Sequence, residues 1–128
     1  TPDGRCAGAP LCDSIGAVHG KDIKGPTALL NSAAAVPFHM ALGTPVLNLR
    51  LQKEHLKEGL RPLILGFFMQ GGMQVQISCL SREDMLDALA HPQAHENLIV
   101  RIGGYSEYFN RLSDELKAAV IARTEHAL

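Results

Sequence analysis

Residues 44–80 carry the pattern that most restricts the fold, because two segments of period two enclose one of helical composition. In TPVLNLRL (44–51), Val46, Asn48 and Arg50 fall on one side and Leu47, Leu49 and Leu51 on the other, which predicts a strand with one apolar face. MQVQISCL (73–80) repeats the alternation, with Met73, Val75, Ile77 and Cys79 opposite Gln74, Gln76 and Ser78. Between them, EGLRPLILGFFMQGG (58–72) reads as a helix with Pro62 near its start and Gly71 and Gly72 closing it. Strands alternating with helices argue for α/β organisation. The polar sides of the two strands, Asn48 and Arg50 on one and Gln74, Gln76 and Ser78 on the other, read as surfaces that face an interior cavity or more protein.

The flanking segments supply further elements. Residues 1–25 read as extended loop, since glycine or proline recurs every few positions, and such a loop must be held from outside. GPTALLNSAAAV predicts a helix over 26–35, with Pro26 in its first turn and Pro37 ending it. Ser81 and Asp84 form a capping box for a helix to about residue 90, stopped by His91-Pro92. NLIVRI (97–102) is a short apolar strand that runs straight into Gly103 and Gly104. A last helix starts at Ser113, with Asp114 and Glu115 complementing its dipole. Three strands are too few to close an independent α/β domain, so the chain reads as part of something larger.

Several function classes are excluded. A net charge of −1 over 128 residues leaves no basic footprint for nucleic acid. The apolar run LILGFFM is far short of the ~20 residues that cross a bilayer, and no signal peptide is recognised, so no membrane partner and a cytoplasmic location are expected. Cys6, Cys12 and Cys79 lack CxxC spacing and read as reduced, buried thiols. His91 and His95 are four apart, but Pro92 breaks the helix that a ligand pair needs; they read as surface residues, and no metal site is expected.

RIGGYSEYFNRL (101–112), followed by VIARTEHAL (120–128), resembles the signature of glycyl radical enzymes of the pyruvate formate-lyase-like family. TPDGRCAGAPL (1–11), HGKDIKGPTALLNS (19–32), and GGMQVQIS followed by SREDMLDALAHP (71–92) resemble the same family, in the same order. The resemblance covers essentially the whole chain. It implies the C-terminal portion of a ten-stranded α/β barrel, with residues 1–128 as the glycyl radical domain. Within that domain, 1–25 are extended loop, 26–98 the strand and helix portion of the barrel, 99–112 the radical loop and 113–128 the C-terminal helix. By the same resemblance Gly104, directly before the tyrosine, carries the radical, and Gly103 takes the small-residue position. Arg101 is a loop anchor, and Tyr105, Tyr108 and Phe109 wall in the site. Asn48, Arg50, Gln74 and Gln76 are candidates to face the cavity, with Asn48 and Arg50 touching either substrate or buried structural partners.

The implied cofactor is the glycyl radical itself, on the polypeptide and without bound metal. S-adenosylmethionine and an iron-sulfur cluster belong to a radical-SAM activating enzyme, which removes one hydrogen from the Gly104 α-carbon. Glycine suits this chemistry because a nearly planar α-carbon spreads its spin between amide nitrogen and carbonyl, where a side chain would clash. The other implied partners are the remaining N-terminal portion of the enzyme and a small-molecule substrate.

The family passes its radical to a cysteine in a Gly-Cys loop, beside a glutamate base. Cys6, Cys12 and Cys79 stand in other contexts, so the chain alone is expected to turn over nothing. PLCDSIG also departs from the family's PLADG, which puts the loop near the substrate in question. The opening blocks resemble the lyase and dehydratase branch more than the formate acetyltransferases. Two other readings stand beside the enzyme part: a stand-alone radical carrier that replaces the broken end of an oxygen-damaged enzyme, and a non-catalytic interaction module. On pattern alone, Gly-Gly before aromatic residues is a strand-to-turn junction.

Overall fold

A computed structural model describes residues 2, 4–9, 11–18, 20–53, 56–123, 125 and 126, without the side chains of Glu58 and Glu125. The elements in chain order are α1 (Pro26–Ala34), β1 (Val46–Leu51), α2 (Leu56–Met69), β2 (Gln74–Ser78), α3 (Arg82–Ala90), β3 (Ile99–Arg101), β4 (Ser106–Tyr108), α4 (Asp114–Ile121) and β5 (Glu125–His126), with short 3-10 turns at Phe38–Met40, Pro92–His95 and Phe109–Arg111. β2, β1 and β5 form a parallel sheet in that order, and β3 and β4 form an antiparallel hairpin. Among the described residues no helix is long and apolar enough to cross a membrane.

The alternation in β1 sets the first core. Leu47, Leu49 and Leu51 are buried beneath α1 and α2, against Leu29, Leu30, Ala33 and Phe67. Each such leucine contributes about 2 kcal/mol by leaving water. The register pairs Leu47 with Val75 and Leu49 with Ile77, so β2 extends the same apolar face.

Pro62 lies inside α2 rather than near its start, because the helix is already formed at Leu56. Lacking an N–H, Pro62 gives nothing to the Glu58 carbonyl one turn back. Its exposure to solvent leaves room for water to serve that group. The glycines after the helix have different reasons. Gly71, at φ 96°, donates to the Phe68 carbonyl and Gly72 to that of Phe67, both at 3.0 Å, which is the Schellman closure. A Cβ on Gly72 would lie 2.4 Å from the Phe67 ring, so that position demands close approach.

The second core joins α3, the hairpin and α4 through Met85, Ala88, Val100, Phe109, Leu112, Val120 and Ile121. α3 begins at the capping box read from the sequence: Ser81 Oγ accepts from the Asp84 N–H at 3.0 Å, and Asp84 Oδ2 accepts from the Ser81 N–H at 3.3 Å. Hydrogen bonding to the Ser81 side chain, the Ser81 backbone N–H and the nearby Lys53 charge hold the Asp84 carboxyl below its ordinary value, against a partial opposing effect of burial. At the other end, the Asp87 carboxylate takes both His95 Nε2, at 2.6 Å, and His91 Nδ1, at 3.0 Å, which lowers its pKa. His91 is largely exposed, but His95 is three-quarters buried rather than a surface residue, because the 3-10 turn at Pro92–His95 folds it back over α3.

Three further expectations change. The loop expected over 99–112 contains a hairpin pairing Ile99 with Tyr108, Val100 with Glu107 and Arg101 with Ser106. The triplet Ser-Glu-Tyr is too short to show period two on its own. The helix expected over 113–128 ends at Ile121, and Glu125 and His126 then pair in parallel with Arg50 and Leu51 of β1. An unpaired edge of β1 offers those residues backbone partners that a longer helix would forgo. Residues 124, 127 and 128, placed in that helix by the sequence reading, lie outside the described residues, as do 1, 3, 10 and 19 of the opening loop. That loop shows no helix or strand in its described part, yet it is tied to β1: Val46 N–H donates to Ser14 Oγ at 3.1 Å and Ile15 N–H to the Val46 carbonyl at 3.4 Å. Cys6 is exposed and Cys12 and Cys79 are half-buried, so none is the buried thiol expected, because Cys6 and Cys12 lie on this surface loop and Cys79 follows the end of β2.

Candidate functional site

Gly103 and Gly104 form the tip of the β3–β4 hairpin. The Ile102 N–H donates to the Tyr105 carbonyl at 3.0 Å, closing a four-residue turn in which Gly104 holds the third position at φ 83°. A side chain is disfavoured there, as in a type II turn. Both glycines are exposed, and among the described residues no non-neighbouring atom lies within 4 Å of where a Gly104 Cβ would sit. The nearest such atom to a Cβ on Gly103 is Asp13 Oδ1, at 3.9 Å.

The aromatic residues are placed differently from the expectation that they wall in Gly104. Phe109 is fully buried in the second core, below the hairpin, and its N–H donates to the Leu98 carbonyl at 2.8 Å. Tyr108 pairs with Ile99 and lies under the Arg111 guanidinium, 4.8 Å from its ring centroid. Tyr105 is half exposed. The reason is distance along the strand: at about 3.3 Å per residue, Phe109 is carried well away from the tip.

Three arginines organise the neck of the hairpin. Arg101 donates from Nε to Gln76 Oε1 at 2.7 Å and from Nη1 to Ser106 Oγ at 3.2 Å, tying β3 to β2 and to β4. Arg123 donates from Nη1 to the Arg101 carbonyl and from Nη2 to the Ile102 carbonyl, both at 2.5 Å, and its Nη2 also lies 2.5 Å from Asp13 Oδ2. Arg50, buried in β1, donates to the carbonyls of Val120 and Arg123 at the end of α4. The last turn of α4 carries no basic residue, so Arg50 supplies from the sheet the positive charge that those carbonyls favour.

Asn48, Arg50, Gln76 and Arg101 all line one cavity of about 50 Å³, together with Asp13 and Arg123; Gln74 does not. Asn48 Oδ1 is buried there without a hydrogen-bond partner among the described residues. Ligand pockets run to about 300–1,000 Å³, so this space is a polar joint between the sheet, the opening loop and the hairpin, with room for water and not for a substrate. His126 on β5 and Asp22 in the opening loop close it from another side with a hydrogen bond at 3.0 Å.

Asp13, Asp22, Arg123 and His126 were not picked out from the sequence. Arg123 and His126 lie within VIARTEHAL, but nothing in that block tells which residue reaches back to the glycines. Their partners stand 21 to 110 positions away.

A family profile described as "Glycine radical" matches residues 11–110, which include the hairpin tip. The chain is 40% identical to the probable dehydratase YbiW of Escherichia coli, in a match that takes in 100% of this chain and 16% of that relative. It is 37% identical to the PFL-like enzyme TdcE of the same organism, over 97% of this chain and 18% of the relative. A solved structure concerned with 1,2-propanediol dehydration in Roseburia inulinivorans superposes with a TM-score of 0.90 at 40% identity, covering 98% of this chain and 16% of its own. The chain thus spans less than a fifth of the length of these relatives. Matched over most of its length by the family profile and over nearly all of it by these relatives, the chain belongs to the glycyl radical enzyme family.

Proposed function

We propose that this chain is the radical-storing part of a glycyl radical enzyme of the dehydratase or lyase branch, with the unpaired electron on the α-carbon of Gly104. The reading is supported above all by Gly104 itself, a glycine at the tip of a turn at φ 83°, inside the matched region and before Tyr105. Breaking its Cα–H bond leaves a centre that flattens between two peptide planes, and no Cβ opposes the flattening. The hydrogen leaves to a radical-SAM activating enzyme, which brings its own iron-sulfur cluster and S-adenosylmethionine; this chain binds no metal. Gly103 takes the small-residue position, Arg101 anchors β3, and Tyr105 and Phe109 support the loop from the β4 side, one beside the tip and the other in the core below the hairpin. Stored spin then passes to a cysteine in polypeptide outside this chain, and the resulting thiyl radical takes hydrogen from a small hydroxylated substrate.

In this reading the parallel sheet continues at its β2 and β5 edges into the ten-stranded barrel of the whole enzyme. Asn48, Arg50, Gln74 and Gln76 lie on its inward side, and the parts outside this chain cover the exposed hairpin tip and keep oxygen away. An oxygen-sensitive radical fits an anaerobic cytoplasm. Relatives named for dehydration, at 40% identity, favour the dehydratase branch over the formate acetyltransferase or transferase reading that TdcE, at 37%, represents.

The test is anaerobic incubation of the full-length protein with an activating enzyme and S-adenosylmethionine, followed by electron paramagnetic resonance. A doublet from the one remaining α-hydrogen, and cleavage near residue 104 on exposure to oxygen, are expected. A protein that stays diamagnetic under conditions that activate a known relative would refute the reading and leave the interaction module in its place.

A further inference from the structure

We infer that Arg123, seated by Asp13, is a positioning residue that clamps the neck of the glycine hairpin to the central strand. The inference deepens the reading of Gly104 as radical carrier and rests on it for its chemical consequence, whereas the clamp itself stands on the contacts alone. Consecutive carbonyls along a strand point in opposite directions. The carbonyls of Arg101 and Ile102 nevertheless both accept from the two Nη atoms of a single guanidinium. β3 therefore breaks its pleat immediately before Gly103, and the planar fork of Arg123 holds the break. Lysine, a point charge, cannot serve both carbonyls and a carboxylate in one plane.

Both halves of the clamp lead back to β1. Arg123 is fixed through its own carbonyl, which accepts from Arg50 Nη1 at 3.0 Å. Asp13 is fixed through the turn closed by Gly16 N–H on its carbonyl at 2.8 Å, and through Ser14 and Ile15 on Val46. The Asp13 carboxylate touches both ends of the device: Oδ2 meets Arg123, held by charge rather than by an aligned hydrogen bond, and Oδ1 is the nearest non-neighbouring atom to a Cβ on Gly103. The Arg123 side chain is only 18% exposed, so water replaces these contacts poorly. Beyond the clamp, no non-neighbouring atom of the described residues lies within 4 Å of a Cβ built on Gly104. The position of the radical carbon relative to the sheet is thus set at the neck, not at the tip.

The experiment uses the full-length protein under anaerobic conditions and has two readouts. Before activation, hydrogen exchange is followed in the peptide spanning 99–109, with 82–90 of α3 as the internal reference. Arg123→Lys is expected to speed hairpin exchange about tenfold, the worth of one charge-assisted hydrogen bond, with α3 unchanged. Asp13→Asn, which leaves both carbonyl bonds, is expected to speed it about threefold. Hairpin exchange unchanged in both variants overturns the clamp. If Arg123→Lys also opens α3, Asp13→Asn decides alone: a rise supports the clamp and no rise overturns it.

After activation, the variants are expected to keep a spin yield within about twofold of the parent, while a metered addition of oxygen destroys the doublet about tenfold faster. A general structural defect would instead lower the yield and leave the decay rate alone, and that outcome overturns the positioning role. Should the parent protein itself never give a doublet, the radical reading fails, and the exchange data still judge the clamp.

Discussion

Arg50 Nη1 lies 3.0 Å from the carbonyl oxygen of Arg123, a residue 73 positions further along the chain, and this bond locks the end of α4 onto the central strand. A second bond from Arg50 reaches the Val120 carbonyl. One buried guanidinium therefore joins the two hydrophobic cores, since Leu49 and Leu51 on either side of it belong to the first and Val120 to the second.

Replacing Arg50 by methionine keeps the length of the side chain and deletes its donors. The Arg123 carbonyl then loses this donor and the Val120 carbonyl keeps only the 3.4 Å bond from the Arg123 N–H, so a loss of about 1–3 kcal/mol is expected from guanidinium chloride unfolding. Hairpin exchange should rise as well, because Arg123 loses its seat.

Gly72→Ala puts a methyl 2.4 Å from the Phe67 ring. The ring has to move within a packed core, at a cost of about 1–3 kcal/mol. Gly66→Ala, inside α2 and with open space around its Cβ position, should instead be neutral or stabilising. A thermal melt of the two variants side by side separates the effects.

Ser81→Ala removes the cap of α3 and should cost about 0.5–2 kcal/mol at neutral pH. The Asp84 carboxyl is held below its unfolded value of 3.8, so its contribution is fully present above that pH and is lost as the pH falls through the lower folded value. Unfolding measured across the acid range should therefore show the parent losing stability below pH 3.8, and Ser81→Ala showing a shallower loss.

Gly104→Ala forces a side chain into φ 83°, at roughly 1–2 kcal/mol, and removes the hydrogen whose loss leaves a planar glycyl centre. The folded protein should persist by circular dichroism while both the doublet and oxygen-dependent cleavage disappear. Gly103→Ala, with no contact closer than 3.9 Å, should fold and retain a doublet.

The part of the fold that can be read along the chain is the part that short-range physics controls. The period of two in 46–51 and 74–78, the capping box at Ser81, the two-glycine end of α2 and the proline start of α1 each depend on residues within a turn or two, and each is found where the pattern puts it. The ordered blocks around RIGGY likewise carried the family, because they are a linear record. Which distant groups meet follows from the folded chain alone. β4 is three residues long and β5 two, and neither has a periodicity to read; each exists because a partner strand offers an unpaired edge. Arg123 looks like an ordinary residue after a helix until the chain folds and brings the carbonyls before Gly103 within its reach. A guanidinium can satisfy any carbonyl within a few ångströms, so its role follows from where the backbone passes and not from its neighbours in the sequence.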